Sequence, residues 1–269
     1  MIKLFRKIRQ KLLEQYKITQ YLAYAVGEIL LIVFGILIAL QINTWNEGRK
    51  ARSRELSTMK AIVENLKYDI IRCQRNSRRN FERLIGLDSL RISVGNTIEG
   101  TDESVKVYFY ALKYGQDYSH VTLNRSGYNQ LINSETIQLI GNRQLAENLS
   151  DYYERKSSAV LEYLPANSLI KLKTLQRKFI QFRGLDEYIR SFDSMDDSTY
   201  EPDIDYTDIL KMEHLKLLKP EGIKLDDFFN EIAQFQIDLK TYDFYVSWLK
   251  EAAENLIKDI EKEYQFDQD

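Results

Sequence analysis

One carboxylate stands inside the most apolar stretch of the sequence. Residues 21–42 read YLAYAVGEILLIVFGILIALQI, and Glu28 is the acidic residue among them. Because an ionised carboxylate is costly in an apolar environment, three arrangements of Glu28 are open. It pairs or hydrogen-bonds with a group on another helix, it lies shallow and reaches outward to water, or it takes part in proton transfer. We favour pairing across a helix interface.

The other residues that could do chemistry are scattered. His120 and His214 lack the HExxH or CxxC context of a metal site, and the sequence contains no P-loop, GxGxxG or GxSxG motif. The acidic stretch 193–208 and the pair at 226–227 could bind a cation. They lack the ligand spacing of an EF-hand, so solvated acidic residues are the simpler interpretation. We therefore expect no cofactor, no metal site and no enzymatic activity.

The aromatic residues and the single cysteine are interpreted as core. The pair Tyr152–Tyr153 and the aromatics of residues 242–248 suit a packed interior better than a ligand cage. Cys73 is the only cysteine, which excludes an intrachain disulfide. Its place in a helical apolar stripe predicts a buried thiol rather than a reactive one.

The stretch around Glu28 predicts a transmembrane helix over residues 21–45. It is about as long as the ~20 apolar residues that one helix needs to cross a bilayer, and it contains no proline. Tyr21 and Tyr24 lie at one end and Trp45 at the other, where aromatic rings favour the membrane–water interfaces.

Small residues form a stripe along this predicted span, with Glu28 beside it. Such a stripe lets helix backbones approach closely, so it predicts self-association or docking onto another membrane protein. Small residues are also common in spans that have no partner, so the alternative of no interface stays open. The predicted interaction face consists of Ala23, Gly27, Glu28, Gly35 and Ala39.

Residues 1–20 predict a basic amphipathic helix before the span. Apolar residues recur there at helical spacing, which suits a helix lying among lipid headgroups. A solvated leader that only orients insertion is the alternative, and both place the segment in the cytosol. The apolar run exceeds the 7–15 residues of a signal-peptide core, so we expect an uncleaved signal anchor. The predicted headgroup contacts are Lys3, Arg6, Lys7, Arg9 and Lys11.

The charge distribution bears on partners and topology. The net charge of −2 hides a gradient, from about +5 over the first twenty residues to about −14 after Gly184. The acidic end argues against a nucleic-acid partner. Basic residues are slightly more numerous before the span than after it, which places the N-terminus in the cytosol by the positive-inside rule. The prediction is a single-pass protein of the bacterial inner membrane with a periplasmic body.

Residues 46–269 predict a helical bundle. With 11 glycines and 3 prolines in 269 residues, few turns are encoded and long helices are expected. A heptad-like seam runs from Leu56 to Cys73 on a helix continuous with the span. It extends for only about three heptads, which favours packing within the body over a free coiled coil. The basic stretch 72–80 that follows is interpreted as a solvated face. The fold class is all-α, with an N-terminal transmembrane helix that continues into an extracytoplasmic bundle.

Glycine, proline and capping residues along residues 46–269 predict where the helices begin and end. We expect a turn marked by Gly95–Asn96 and Glu99–Gly100, and helix caps at Ser126 and Asn142. Residues 105–114 predict a helix, with a strand at YFY as the alternative. Pro165 should break a helix, and helical spacing resumes over residues 167–182. Residues 184–208 predict a loop. A short helix over residues 209–218 and a long one over residues 225–264 complete the chain.

Two stretches resemble a known family. After the basic opening MIKLFRKIRQKLL, the residues GEILLIVFGILIALQINTWNE resemble the start of a family of uncharacterised membrane-anchored proteins common in Bacteroidota. The later residues LNRSGYNQLINSETIQLI, followed by LSDYYERK, are similar to the middle region of that family. The resemblance implies a single N-terminal span and a helical body. It implies no catalytic residues.

Three functions are open on these observations, and the last in rank is an envelope enzyme, for which the sequence shows no catalytic constellation. The first is a structural or interaction protein of the cell envelope, whose helical body scaffolds or recruits partners. The alternative is a periplasmic ligand-sensing module that signals through its span to a partner. The short stretch before the span leaves no room for a cytoplasmic output domain, which favours the first.

Overall fold

The computed structural model describes residues 18–98, 103–133, 137, 140–180, 206–210 and 225–266. Almost all of these residues are helical and none of them forms a β-strand, which confirms the all-α class for this part of the chain. The chain divides into two compact units, Met1–Ser57 and Thr58–Asp269.

The α-helices of the described ranges are numbered in chain order. A π-helical segment, Asp151–Lys156, joins the fourth helix to the fifth. The helices are α1 (Ile18–Ile98), α2 (Ser104–Tyr114), α3 (Ser126–Asn133), α4 (Arg143–Ser150), α5 (Ser157–Glu162), α6 (Ala166–Phe179), α7 (Tyr206–Leu210) and α8 (Leu225–Tyr264).

The first unit contains the apolar part of α1. Its large apolar side chains between Leu22 and Ile42 are between 44 % and 70 % exposed wherever the structure describes them. An 18-residue window of this helix reaches a mean hydropathy of 2.5, and none of that window is buried. Among the described residues, α1 is the one helix long and apolar enough to cross a membrane. This finding is compatible with a single-pass membrane protein.

The second unit is built around α8. The buried side chains of α8 recur every three or four residues along the whole helix, which keeps one face towards the core. The heptad-like face predicted from Leu249 to Ile260 is buried, as expected. The buried residues are Phe228, Ile232, Phe235, Leu239, Tyr242, Val246, Leu249, Ala253, Leu256, Ile260 and Tyr264.

Two sets of α1 residues pack in this unit. Met59, Val63, Leu66 and Cys73 of the predicted seam are buried. Further along α1, a cluster gathers around residues 87–94 together with side chains of α2, α6, α7 and α8. Its fully buried members include Leu87, Leu90, Tyr108, Ala111, Leu172, Ile209, Ile232, Phe235 and Leu239.

Most of the predicted helix boundaries agree with the structure. Asn142 caps α4, because its Oδ1 accepts a hydrogen bond of 3.1 Å from the Leu145 N–H. Pro165 separates α5 from α6. The predicted turn is wrong at Gly95–Asn96, because α1 continues to Ile98, whereas Glu99–Gly100 lies outside the described residues.

The remaining boundaries fall partly in undescribed stretches. The described helix α7 begins at Tyr206, three residues before the predicted start at Ile209. Residues 184–205 of the predicted loop 184–208 and residues 211–218 of the predicted helix 209–218 lie outside the described residues.

A glycine permits the closest approach of α3 to α1. A Cβ atom on Gly127 would lie 2.9 Å from Cγ1 and 3.2 Å from the backbone N of Ile62, and 3.0 Å from Nδ2 of Asn65. Since backbone of α1 cannot move aside as a side-chain tip can, a residue without a Cβ is needed there. This approach sets Ser126 and the chain before it against the polar side of α1.

Candidate functional site

The predicted interaction face of the span is open in this chain. Within the described part of the chain, a Cβ atom on Gly27 or on Gly35 would meet no atom within 4 Å apart from its chain neighbours and the nearby backbone of α1. Ala39 is exposed and Glu28 is half-buried, whereas the side chain of Ala23 lies outside the described part. The predicted headgroup contacts in residues 1–17 also lie outside the described part. The interaction face and the headgroup contacts therefore both stay predictions. They are Lys3, Arg6, Lys7, Arg9 and Lys11.

A row of polar residues runs along α1 in the second unit. Its members are separated by steps of three or four, so they share one face of the helix. Most are buried: Asp69 is 0 % exposed and Asn80 is 1 % exposed. Because buried polar groups need partners, this face must contact other polar groups. The polar row is Asn65, Asp69, Arg72, Asn76, Asn80 and Arg83.

The partner of the polar row is the chain between α2 and α3, called here the 116–125 segment. Asn80 forms two hydrogen bonds with the backbone of the segment at Ser119. Asn80 Nδ2 donates to Ser119 O and Ser119 N donates to Asn80 Oδ1, each at 3.3 Å. Arg72 Nη1 donates to Thr122 O at 2.5 Å. Side chains of α1 thus satisfy backbone groups that have no helix or sheet of their own.

The end of the 116–125 segment is held in the same way. The N–H of Asn124 donates to Asp69 Oδ1 at 2.9 Å. The amide side chains of Asn124 and Asn65 meet at 2.9 Å, and Asn65 Nδ2 donates to Ser126 Oγ at 3.1 Å. These hydrogen bonds fix the position of the chain up to Ser126, the first residue of α3.

Other elements fix the far side of the segment. The hydroxyl of Tyr242 in α8 accepts a hydrogen bond of 2.8 Å from the Val121 N–H. Lys173 Nζ donates to Gln116 O at 3.0 Å, and Gln116 Nε2 donates to Gln176 Oε1 at 2.7 Å. The segment is therefore held between α1 on one side and α6 and α8 on the other.

Asp69 is a buried carboxyl with a shifted pKa. Burial raises its pKa to about 6, although the hydrogen bond from Asn124, the positive charge of Arg72 and the hydrogen bond from Tyr152 all oppose the rise. The Tyr152 hydroxyl donates to Asp69 Oδ2 at 3.3 Å. Desolvation outweighs these three interactions, so the carboxyl of Asp69 stays protonated to a higher pH than an exposed aspartate does, and it ionises above about pH 6.

The tyrosines and the cysteine beside Asp69 form a core rather than a reactive centre. Tyr152 and Tyr153 are fully buried, as predicted, and the Tyr128 ring stacks on Tyr153 with centroids 4.6 Å apart. Burial raises the pKa of both Tyr152 and Tyr153. It also raises the pKa of the buried Cys73 thiol to about 12, so this thiol stays protonated, as expected of a structural cysteine.

The aromatic residues 242–248 are only partly core. Tyr242 is buried, and burial raises its pKa to about 12. Phe244 is 67 % exposed, so the prediction that this group is all core is wrong for that residue. The half-buried Trp248 has the ammonium of Lys156 3.8 Å from its ring centroid.

The histidines and acidic residues fall into two groups. His120 is exposed within the 116–125 segment. His214 and residues 193–205 lie outside the described residues. Across the ranges that the structure describes, no group of three His, Cys, Asp or Glu side chains could hold a metal ion.

Comparison with known families places the chain. The model of a family described as a family of unknown function, DUF6090, matches residues 28–213, which is more than half of the chain. The chain belongs to DUF6090. No curated protein and no solved structure matches this DUF6090 chain significantly.

The matched region of the DUF6090 chain includes the parts described above. It contains the apolar part of α1 from Glu28 onward, the polar row and the 116–125 segment, and it ends before α8. The match therefore covers both partners of each hydrogen bond between α1 and the segment. The supporting face of α8 lies beyond it.

Sequence reasoning missed the polar row, although a signal was present. The interpretation of the basic stretch 72–80 as a solvated face is wrong for Asn76 and Asn80, since both are buried. Asn65, Asp69 and Asn76 already show helical spacing in the sequence. Polar residues that recur at three- and four-residue steps beside an apolar seam predict a buried polar contact as well as a solvated face.

Proposed function

We propose that this DUF6090 chain is a membrane-anchored interaction protein of the bacterial cell envelope. The observation that carries the proposal is the exposure of the apolar part of α1, where the window of highest hydropathy has none of its residues buried. In water, exposed apolar surface costs about 25 cal/mol per Å². The hydrocarbon core of a bilayer, ~30 Å thick, removes that cost.

The proposed topology is a single pass through the inner membrane. Residues 1–20 lie on the cytosolic surface, residues 21–45 span the bilayer as an uncleaved signal anchor, and residues 46–269 form the periplasmic body. The excess of basic residues before the span supports this orientation. The Bacteroidota family that the sequence resembles supports the single span.

The proposed role is binding rather than catalysis. The openness of the span at Gly27 and Gly35 supports docking of a second helix, from another copy of this chain or from another membrane protein. The acidic C-terminal part supports a partner other than nucleic acid. The family match assigns no activity, and the buried Cys73 and tyrosines offer no accessible nucleophile.

Extraction of membranes tests the anchor. The full-length chain, expressed in a bacterium, should stay with the membrane pellet after washing with alkaline carbonate. A variant with Phe34→Lys and Ile38→Lys should be released, because each charge at the centre of a span costs about 2.5–3.5 kcal/mol. The matched control, Phe34→Leu with Ile38→Leu, should stay in the pellet. Release of the unaltered chain, or removal of its first forty-odd residues, would refute the anchor.

Reporter fusions test the orientation. Alkaline phosphatase fused after residue 269 should be active, because that enzyme matures only in the periplasm. β-Galactosidase fused at the same point should be inactive. The opposite pattern would place the body in the cytosol.

A further inference from the structure

A pocket opens between the polar row of α1 and the 116–125 segment. It has a volume of about 280 Å³, which is several times the ~30 Å³ that one water molecule occupies in the liquid. It contains three arginine side chains and no carboxylate among its lining residues. The lining residues are Arg72, Arg75, Asn76, Arg79, Ser119, His120 and Thr122.

One lining residue has an unused hydrogen-bond donor. Asn76 is 2 % exposed, and its Nδ2 has no hydrogen-bond partner within the described part of the chain. The orientation of this amide is fixed, because Asn76 Oδ1 accepts a hydrogen bond of 3.0 Å from Asn80 Nδ2. Asn80 is in turn oriented by the N–H and C=O of Ser119. A buried donor without a partner costs about 1–3 kcal/mol, so it needs a reason.

The arginines around Asn76 differ in how they are held. Arg72 is fixed by its hydrogen bond to Thr122 O and by the Tyr68 ring, whose centroid is 4.6 Å from its guanidinium carbon. Arg75 is exposed, and no acidic side chain forms an ion pair with it among the residues described. Arg79 is half-buried. The floor of the pocket therefore offers a neutral donor, and its rim offers guanidinium groups.

We propose that this pocket binds a phosphate-type dianion, either inorganic phosphate or the phosphate group of a small phosphomonoester. Guanidinium groups match tetrahedral oxyanions through paired charge-assisted hydrogen bonds, and a dianion compensates several of them better than a monocarboxylate does. The amide of Asn76 supplies the donor at the floor, and Ser119, His120 and Thr122 can add contacts at the edge. The segment is already fixed by Asn80, Asp69 and Tyr242, so binding needs little rearrangement.

The proposal is independent of the membrane anchor. It concerns residues of the second unit only, and it names a ligand class that attachment to a bilayer does not require. Failure of phosphate binding leaves the carbonate result unaffected. Failure of the anchor leaves the pocket unaffected.

Ligand-dependent stability of the full-length chain in detergent tests the pocket. Inorganic phosphate should raise the unfolding temperature relative to chloride at the same ionic strength, and calorimetric titration should give the affinity. Acetate at the same ionic strength should have no comparable effect. Tighter binding of glycerol 3-phosphate than of inorganic phosphate would identify a monoester as the ligand group, and equal binding would identify the free ion.

Two variants and one control locate the binding. Arg75→Gln should weaken phosphate binding about tenfold or more, the loss expected for one hydrogen bond between charged groups. Asn76→Asp keeps the acceptor for Asn80 but replaces the buried donor with an anionic oxygen, so it should abolish binding. Arg78→Gln removes the same charge from an exposed neighbour on α1 that does not line the pocket, and it should leave the affinity within twofold.

Several results would overturn the proposal. They are no response of the unaltered chain to phosphate, an equal response to acetate, or an equal loss of affinity in Arg75→Gln and Arg78→Gln. The last result would indicate general attraction by a basic surface. Since Arg75 is exposed, its variant should fold even where Asn76→Asp does not, and the comparison with Arg78→Gln then decides.

Discussion

Asp69 shows how one side chain can couple folding to pH. It is fully buried, and its carboxylate oxygens accept hydrogen bonds from the Asn124 N–H and the Tyr152 hydroxyl. Its folded-state pKa of about 6 lies above the unfolded value of 3.8. Below about pH 4 both states are protonated, and above about pH 6 the folded state must hold a buried charge. Stability should therefore fall as the pH rises through this range.

Replacement of Asp69 by Asn should remove this pH dependence. Asparagine can accept the bond from Asn124 and donate to the Tyr152 oxygen, so the local structure should persist. A rise of about two pKa units corresponds to roughly 3 kcal/mol at 1.36 kcal/mol per unit. The free energy of unfolding of Asp69→Asn, measured in urea, should thus gain about that much over the unaltered chain between pH 4 and pH 7. Parallel pH profiles for the two chains would contradict the assignment.

Gly127 carries a second prediction at the scale of the residue. Gly127→Ala would put a methyl group 3.2 Å from the backbone N of Ile62, where α1 cannot give way. We expect a loss of about 1–3 kcal/mol in the free energy of unfolding, typical of overpacking. Gly95→Ala is the matched control, because a Cβ there meets no side chain or neighbouring element within 4 Å among the described residues. The control should gain about 0.5–1 kcal/mol from helix propensity, so a loss of similar size in both variants would exclude the close contact as the cause.

At the scale of elements, side chains of α1 supply the 116–125 segment with the hydrogen bonds that a sheet or helix would otherwise give its backbone. The segment has no regular structure, and its backbone groups are satisfied by side chains of Asn80, Arg72, Asp69 and Tyr242. This arrangement makes the segment rigid without giving it secondary structure. Its rigidity is the property that a preformed pocket requires.

Replacement of Asn80 by Ala should loosen the segment. The variant leaves both the N–H and the C=O of Ser119 without their partner, at a cost of about 1–3 kcal/mol. We expect faster amide hydrogen exchange across residues 116–125 and a lower free energy of unfolding. Gln74→Ala, an exposed change on the same helix, should alter neither quantity. Unchanged exchange in Asn80→Ala would show that other contacts suffice.

Helix-level features were predictable where the signal is local. The cap at Asn142, the break at Pro165 and the buried face of α8 follow from side-chain chemistry and apolar spacing. The continuation of α1 through Gly95 was not predictable from local residues. A glycine in a long helix is tolerated when neighbouring residues such as Leu90 and Val94 pack in the core. The π-helical segment Asp151–Lys156 was not predicted either, since no local residue pattern specifies it.

The candidate site was less predictable than the fold. Its residues lie far apart in the sequence, for example Asn80 and Ser119, and their contact depends on how α1, α6 and α8 pack. Asn76 and the arginines beside it share one basic stretch, but only the fold separates Asn76 at the floor from Arg75 at the rim. Helical spacing could have indicated the polar row, and it could not have named the segment that covers it.

At the scale of the whole molecule, the span and the folded body have different surfaces. The apolar side chains of α1 between Ile29 and Ile42 are exposed, whereas α8 buries one apolar face in a core and leaves only Ile237 and Phe244 among its large apolar side chains exposed. We expect the span to associate through the stripe of small residues. In a bacterial assay of helix association within the membrane, Gly35→Leu should reduce the signal at least several-fold, because a large side chain keeps the backbones apart.

Two further variants make that prediction specific. Glu28→Gln should retain the signal, because an amide can still hydrogen-bond across the interface. Val33→Leu adds a methylene on the roughly opposite side of the helix and should leave association unchanged. Equal signals for Gly35→Leu and the unaltered span would exclude this face as the contact.

The polar row also limits how the length of α1 can vary. Each residue of an α-helix turns the chain by about 100°, so one residue inserted between Asp69 and Asn76 would turn Asn76 and Asn80 away from Ser119 while Asp69 still met Asn124. A deletion would do the same in the other direction. Substitutions can be absorbed one at a time along this stretch, but insertions and deletions cannot, and α1 should therefore keep a constant number of residues between Asn65 and Asn80.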